Sequence, residues 1–465
     1  MIVAGLLIVP LFAAIVVWLL RGRFMRSILL TAAVCHAGLT ISSFCDIPGK
    51  VLSCGGITLG FDQCKYASLI LAVTSILFFC TSLHLCFWLP ADRKAAELRG
   101  GKHGMSEVLF TALLLTFLAT MTLTALAQDF GMLWVAVEAT TLTSAPLINF
   151  HRSKTSLEAM WKYLLLCSLG IGLALFGTML LSASLPADAS LAFKGMQVIR
   201  PEWFKVAFVF CFAGYGLKTG LAPFHTWLPD AHSEAPAPVS ALLSGSLLNC
   251  ALLGLLRLRD TAPAGLQGFC NGFFIFFGIV SLLMAAFFII RQKDFKRMLA
   301  YSSVEHMGLI ALMAGFGCFE VMLTHITFHS LTKMALFLTA GNLLLSYGTR
   351  KIDAVRGAFS RLPRNGALWM AGMLLICGTP PSPLFFTEMA LVKTAGVFWG
   401  GIILLLLFVI FCAMADIVIK MCTGNAAEAD FPGIDRNAEK LAAVPMTVMA
   451  LITLCGMLSA LRLLY

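Results

Sequence analysis

The sequence predicts an all-α polytopic membrane protein of about fourteen transmembrane helices, built as two inverted five-helix repeats with helices 7 and 12 broken. Three observations carry this expectation. The 465 residues are 59% hydrophobic and 12% charged, with a mean hydropathy of +0.91, whereas soluble domains hold about 25% charged residues. So large an apolar excess cannot be hidden inside a water-soluble globule. Lysine and arginine are distributed unevenly between alternate loops, and buried ionisable residues recur at a near-constant offset along the chain.

A spanning helix needs about 20 mostly apolar residues. Such runs lie near 2–20, 27–43, 66–89, 106–127, 130–149, 159–183, 204–221, 237–257, 269–290, 298–316, 320–346, 366–392, 399–420 and 441–464. The first is followed by Arg21, Arg23 and Arg26 and lacks a small-residue cleavage site, which predicts a retained span rather than a signal peptide. With the loop after the first span placed in the cytoplasm, 21 of the 33 Lys and Arg residues fall on that side, eight outside and four within spans. Both termini then face outward. The formal charge of +10 is topological and calls for no nucleic-acid partner. The 15 cysteines show no C-x-x-C and no Fe–S or zinc-ribbon spacing. Cys45, Cys54 and Cys64 share one loop, where a disulfide is one option.

Ionisable side chains inside spans are costly and mark function. Glu138, Lys162, Lys218 and the polar Asn249 in spans five to eight pair with Glu305, Lys333, Glu388 and Asp416 at separations of 167, 171, 170 and 167 residues. Equivalent positions are five spans apart, an odd number, so the second unit is inverted. Inverted repeats with sites near the midplane build many ion-coupled transporters. The segments follow: an N-terminal three-helix part over 1–105, repeats over 106–258 and 269–421, and a last helix over 441–465.

The seventh span carries Gly214-Tyr215-Gly216-Leu217-Lys218-Thr219-Gly220-Leu221-Ala222-Pro223, and the twelfth Gly378-Thr379-Pro380-Pro381-Ser382-Pro383 just before Glu388. Proline removes a backbone donor and clashes with the preceding turn, so both helices break at membrane depth. Unwound backbone there must be buried in protein or line a wet cavity. A packing kink would also suit, but a charge stands beside each break. Lys218 is the plausible partner of Glu138. Burial disfavours a charged lysine and a nearby carboxylate favours it, so the pair can hold or release one proton. A static ion pair is the other reading.

His325, His329 and Lys333 recur every four residues and share one helix face. Imidazoles titrate near neutral pH, which suits a proton relay ending at lysine. Packing histidines are the plainer reading, and a metal is disfavoured by Lys333 and by the lack of an H-E-x-x-H pattern. Glu305 and His306 lie close to a helix start and are either interfacial or part of the path. Lys162 is spaced to pair locally with Glu158, as Lys420 is with Asp416. His225 and His232 sit in a proline-rich elbow that either admits protons or only stiffens the turn. No P-loop, dinucleotide fingerprint, haem ligand pair or Ser/His/Asp set stands out, so no catalytic residue, cofactor or metal site is expected, and the energy source must lie elsewhere.

Lys218-Thr219-Gly220-Leu221-Ala222-Pro223-Phe224-His225-Thr226-Trp227-Leu228-Pro229-Asp230, Asp294-Phe295-Lys296-Arg297-Met298-Leu299-Ala300-Tyr301-Ser302-Ser303 and the His325/His329/Lys333 helix resemble the antiporter-like subunits of respiratory complex I and Mrp antiporters. Val137-Glu138-Ala139-Thr140-Thr141-Leu142 and Val304-Glu305-His306-Met307-Gly308 most resemble the hydrogenase-4 component F branch, found in membrane arms of formate hydrogenlyase and related nickel–iron hydrogenase complexes. The resemblance covers nearly the whole chain. It implies fourteen helices, residence in a prokaryotic inner membrane, and proton translocation driven by redox chemistry in other membrane-arm subunits and a peripheral hydrogenase/Fe–S arm. Glu138 and Lys218 would be the pumping pair of the first half-channel. Lys333 would be the central lysine, with His325 and His329 its relay and Glu388 beside the second broken helix. Asn249 departs from this pattern, standing where several complex I subunits carry a lysine. A sodium/proton antiporter subunit and a non-pumping scaffold for a partner enzyme are the competing readings.

Overall fold

The computed structural model describes residues 2–22, 24–45, 51–54, 57–60, 65–100, 104–425 and 432–464. Cys64 lies outside the described residues, as do the side chains of Cys45 and Cys54, and with them the disulfide option.

The described chain is mostly helical and holds one antiparallel hairpin, pairing Val51–Cys54 with Ile57–Gly60. Twelve helices among the described residues are long and apolar enough to cross a membrane. Two further crossings complete the expected fourteen. Phe295–Gly315 is long enough at 21 residues, but Ser302, Ser303, Glu305 and His306 dilute its apolarity. The 40-residue Pro383–Cys422 is two crossings joined at Gly396, whose φ of 78° no helix accommodates. Its first arm continues Pro363–Ile376, and together they form the twelfth span.

Both predicted breaks are present. The helix Pro201–Thr219 stops at Gly220, left-handed at φ 82°. The chain then passes a single turn at Phe224–Thr226 and resumes as Trp227–Glu234. Pro363–Ile376 stops before Gly378, at φ 60°, and the chain resumes at Pro383. A break strands helix carbonyls that need donors at membrane depth. In the seventh span Trp227 Nε1 donates to Leu217 O at 2.8 Å. In the twelfth, the Ser382 hydroxyl donates to Leu375 O at 2.8 Å. The eighth span departs from the expected regular helix: a π-helical turn at Leu243–Leu247 divides Ala237–Leu242 from Leu248–Asp260.

The chain divides into two compact units. The first comprises Met1–Phe79, Met105–Trp227 and Ser246–Phe276. In it, helices Lys154–Ala183 and Pro201–Thr219 approach backbone to backbone, because a Cβ on Gly214 would collide with the Gly170 carbonyl and the Ala174 backbone. Small residues let membrane helices pack this closely. The second comprises Cys80–Gly104, Leu228–Gly245 and Phe277–Tyr465. It uses the same device, Gly278 lying against Gly308 of the helix Phe295–Gly315.

Candidate functional site

In the first unit, Lys218 occupies the last turn before the seventh-span break and is fully buried. A buried ammonium needs acceptors. Its Nζ donates to the Thr141 hydroxyl and, at 3.3 Å, to the Tyr163 hydroxyl. Thr141 donates in turn to Glu138 Oε2 at 3.4 Å, and Ser168 donates to Glu138 Oε1 at 2.7 Å. Tyr163 and Ser144 share a further hydrogen bond of 2.7 Å. Lys218 and Glu138 are thus brought together through one hydroxyl rather than in direct contact. A single hydroxyl can accept from an ammonium and donate to a carboxylate at once, which makes Lys218, Thr141 and Glu138 a continuous hydrogen-bonded chain.

Lys162 is not part of it. Its Nζ pairs with Glu158 at 2.6 Å, the two side chains being 49% and 62% exposed. The next residue, Tyr163, is the one that reaches Lys218. Neighbouring residues on a helix point about 100° apart, so the turn that carries Lys162 outward carries Tyr163 inward.

In the second unit, Lys333 is fully buried and its Nζ donates to Leu299 O at 2.8 Å. Glu305 is 3% exposed and Glu388 4%, so both carboxylates lie inside the protein and not on its surface. His325 Nδ1 lies 2.8 Å from the Thr387 hydroxyl, and its Nε2 lies 3.0 Å from His306 Nδ1. His306 Nε2 is 3.0 Å from Ile376 O, the last helical carbonyl before the twelfth-span break. A carbonyl only accepts, so His306 donates from Nε2. A neutral His306 then receives the Nε2 proton of His325 at its Nδ1. The ring of His329 stacks on His306 at 4.9 Å and 24°, and neither of its nitrogens has a hydrogen-bond partner among the described residues. Glu388 follows Thr387 in sequence, and its carboxylate fills the space that a Cβ on Gly378 would occupy.

The predicted relay of His325, His329 and Lys333 therefore shares its helix face as expected, but the hydrogen bonds run through His306 and Thr387. The sequence had named His306 with Glu305 as either interfacial or part of the path, without its partners. Thr141 was missed, although its place one helical turn after Glu138 is a signal that could have found it. Tyr163, Ser168 and Thr387 carried no signal, since a hydroxyl in a membrane helix is unremarkable until its partner is known.

The proline-rich elbow is tied to its neighbours by hydrogen bonds and an ion pair. Asp294 caps the helix Phe295–Gly315, its Oδ1 accepting from Lys296 N at 2.8 Å, while its Oδ2 accepts from the Ser233 hydroxyl at 2.6 Å. Lys296 Nζ donates to Ser233 O and Ala235 O, and Arg350 pairs with Glu234 at 2.8 Å. His232 is buried with its ring stacked on Phe337 at 4.9 Å. These contacts tie the end of the helix Trp227–Glu234 in place and favour the structural reading of the elbow.

A sequence profile described as NADH:quinone oxidoreductase/Mrp antiporter, TM matches residues 127–415. The hydrogenase-4 component F homolog of Methylacidiphilum infernorum is 38% identical over 288 residues, covering 59% of this chain and 60% of that protein. Hydrogenase-4 component B of Escherichia coli K12 is 27% identical over 371 residues, covering 76% of this chain and 52% of that protein. The chain thus spans between 52% and 60% of the length of these two relatives. A chain of the archaeal membrane-bound sulfane sulfur reductase superposes with a TM-score of 0.83 at 20% identity, over 98% of this chain and 94% of that one. At that identity the likeness is one of fold.

Proposed function

We propose, from the premise that this chain belongs to the NADH:quinone oxidoreductase/Mrp antiporter transmembrane family, that it is a proton-translocating, antiporter-like membrane subunit of a redox-driven complex of the hydrogenase-4 type. The observation that carries this reading is the hydrogen-bonded chain from the buried Lys218 through the Thr141 hydroxyl to the half-buried Glu138, placed beside the break in the seventh span. A proton added to Glu138 weakens its hold on Thr141. The hydroxyl then turns more readily toward other acceptors and leaves the buried ammonium less well solvated, so the two charges respond to one another through one rotatable group. In the second repeat, hydrogen bonds join His306, His325 and Thr387; Lys333 and Glu305 are proposed to meet this run at one end and Glu388 at the other.

The repeats are assigned to 106–258 and 269–421, flanked by 1–105 and 441–465, with both termini facing away from the cytoplasm. The partners are other membrane-arm subunits of a prokaryotic inner membrane and a peripheral hydrogenase/Fe–S arm that supplies the energy. This chain's own part is to bind, pass and gate protons.

The test is proton uptake by the complex, purified with its native partners and reconstituted in liposomes. Lys218→Ala and Glu138→Gln are expected to abolish uptake while the complex stays assembled. Uptake unchanged in both variants would leave the subunit a scaffold. Uptake that requires sodium would move it to the sodium/proton antiporters.

A further inference from the structure

A cavity of about 470 Å3 in the second unit lies between the last turns of the helix Lys65–Leu98 and the segment 437–444. One wall is a single helix face, on which Leu83, Phe87, Ala91 and Lys94 follow one another at three- or four-residue steps. Asn437, Lys440, Leu441 and Val444, from the end of the helix Pro432–Lys440 through the turn to the start of Ala443–Leu464, form the other wall.

The second wall is held firmly. Asn365 Nδ2 donates to Ala438 O at 2.9 Å, and Arg361 pairs with Asp435 at 3.2 Å with both side chains nearly buried. These contacts bind one face of the helix Pro432–Lys440 and leave Asn437 and Lys440 on the cavity side. Lys94 and Lys440 are exposed, and neither pairs with a carboxylate among the described residues. His84 lies toward the opposite end of the cavity from Lys94. The ten residues between them rise about 15 Å, half of a hydrocarbon core about 30 Å thick. The cavity follows a stretch of helix about as long as one leaflet is deep, is mostly apolar and has two exposed lysines in its walls.

We propose that this cavity binds one anionic phospholipid, its phosphate held by Lys94 and Lys440 and one acyl chain lying along Leu83, Phe87 and Leu441. Lysines at the membrane surface attract anionic headgroups, and their aliphatic stems lie along apolar walls while the ammonium stays at the headgroup level. Free phosphate would leave the apolar trough empty, and a zwitterionic lipid would leave the two lysines without net countercharge.

The full-length chain, purified in mild detergent and exchanged into nanodiscs of mixed phosphatidylglycerol and phosphatidylcholine, is examined by native mass spectrometry for retained lipid. Wild type is expected to retain one phosphatidylglycerol with on the order of tenfold preference over phosphatidylcholine. The Lys94→Ala/Lys440→Ala variant is expected to lose that preference. Arg93→Ala, which removes a residue paired with Glu97 at 3.2 Å outside the cavity, keeps it, and so does His84→Leu at the acyl end. Val444→Trp fills the trough and is expected to reduce retention of both lipids. Equal retention of the two lipids by wild type, undiminished preference in the double lysine variant, or displacement of phosphatidylglycerol by inorganic phosphate would each overturn the proposal. The lysine pair is on the surface, so its variant decides the matter even if the Trp variant does not fold.

Discussion

The Thr141 hydroxyl stands between Lys218 and Glu138, accepting from the buried ammonium and donating to the carboxylate at 3.4 Å. The two charges the sequence singles out thus communicate through a neutral group. Thr141→Val keeps the shape and removes the bridge. It is expected to slow proton uptake by at least tenfold and to cost about 1–3 kcal/mol of stability, because the buried ammonium loses an acceptor. Thr141→Ser restores the hydroxyl and is expected to recover most of the rate. Uptake assays in liposomes and thermal melting in the same detergent check both.

Lys162 and Tyr163 are adjacent and predicted to behave oppositely. Lys162→Gln removes a pair exposed at the protein surface and is expected to leave proton uptake within twofold of wild type. Tyr163→Phe removes the hydroxyl that lies 3.3 Å from Lys218 Nζ, and a loss of severalfold or more is expected. Equal sensitivity at the two positions in side-by-side uptake assays would contradict the placement of the pathway.

His306 is expected to matter more than His329. His306 is hydrogen-bonded at both nitrogens, to His325 and to Ile376 O, whereas His329 contacts it by ring stacking. His306→Phe leaves the Ile376 carbonyl short of a donor at the break, at about 1–3 kcal/mol, and interrupts the hydrogen-bonded path. His329→Phe preserves the stack. Melting temperature and uptake rate, measured on both variants, should separate them in that order.

Gly378 serves two needs at once. Its φ of 60° is left-handed, which costs a non-glycine residue about 1–2 kcal/mol, and a Cβ there would occupy the place of the Glu388 carboxylate. Gly378→Ala is therefore expected to destabilise the twelfth span and to displace Glu388. The loss of uptake should approach that of Glu388→Gln. A Gly378→Ala variant with normal melting and normal uptake would show that the carboxylate has another place to go.

Much of the architecture was legible in the residues before any packing was known. Apolar run length and Lys/Arg asymmetry are local and additive, so they report spans whatever those spans touch. The two breaks were equally legible, because Gly220, Pro223, Gly378, Pro380 and Pro381 alter the backbone wherever they stand. The charges Glu138, Lys218, Glu305, Lys333 and Glu388 announced themselves because each is costly in an apolar run.

Orientation and partnership were not legible. Lys162 and Lys333 matched at a separation of 171 residues, yet one pairs at the surface and the other is buried. Close contacts such as Gly170 against Gly214 fix how two helices face one another, and hydropathy does not encode them. The hydroxyls that join the charges, those of Thr141, Tyr163, Ser168 and Thr387, are neutral and common in membrane helices. Their value arises only when folding sets them within about 3 Å of a partner, from residues distant in the chain.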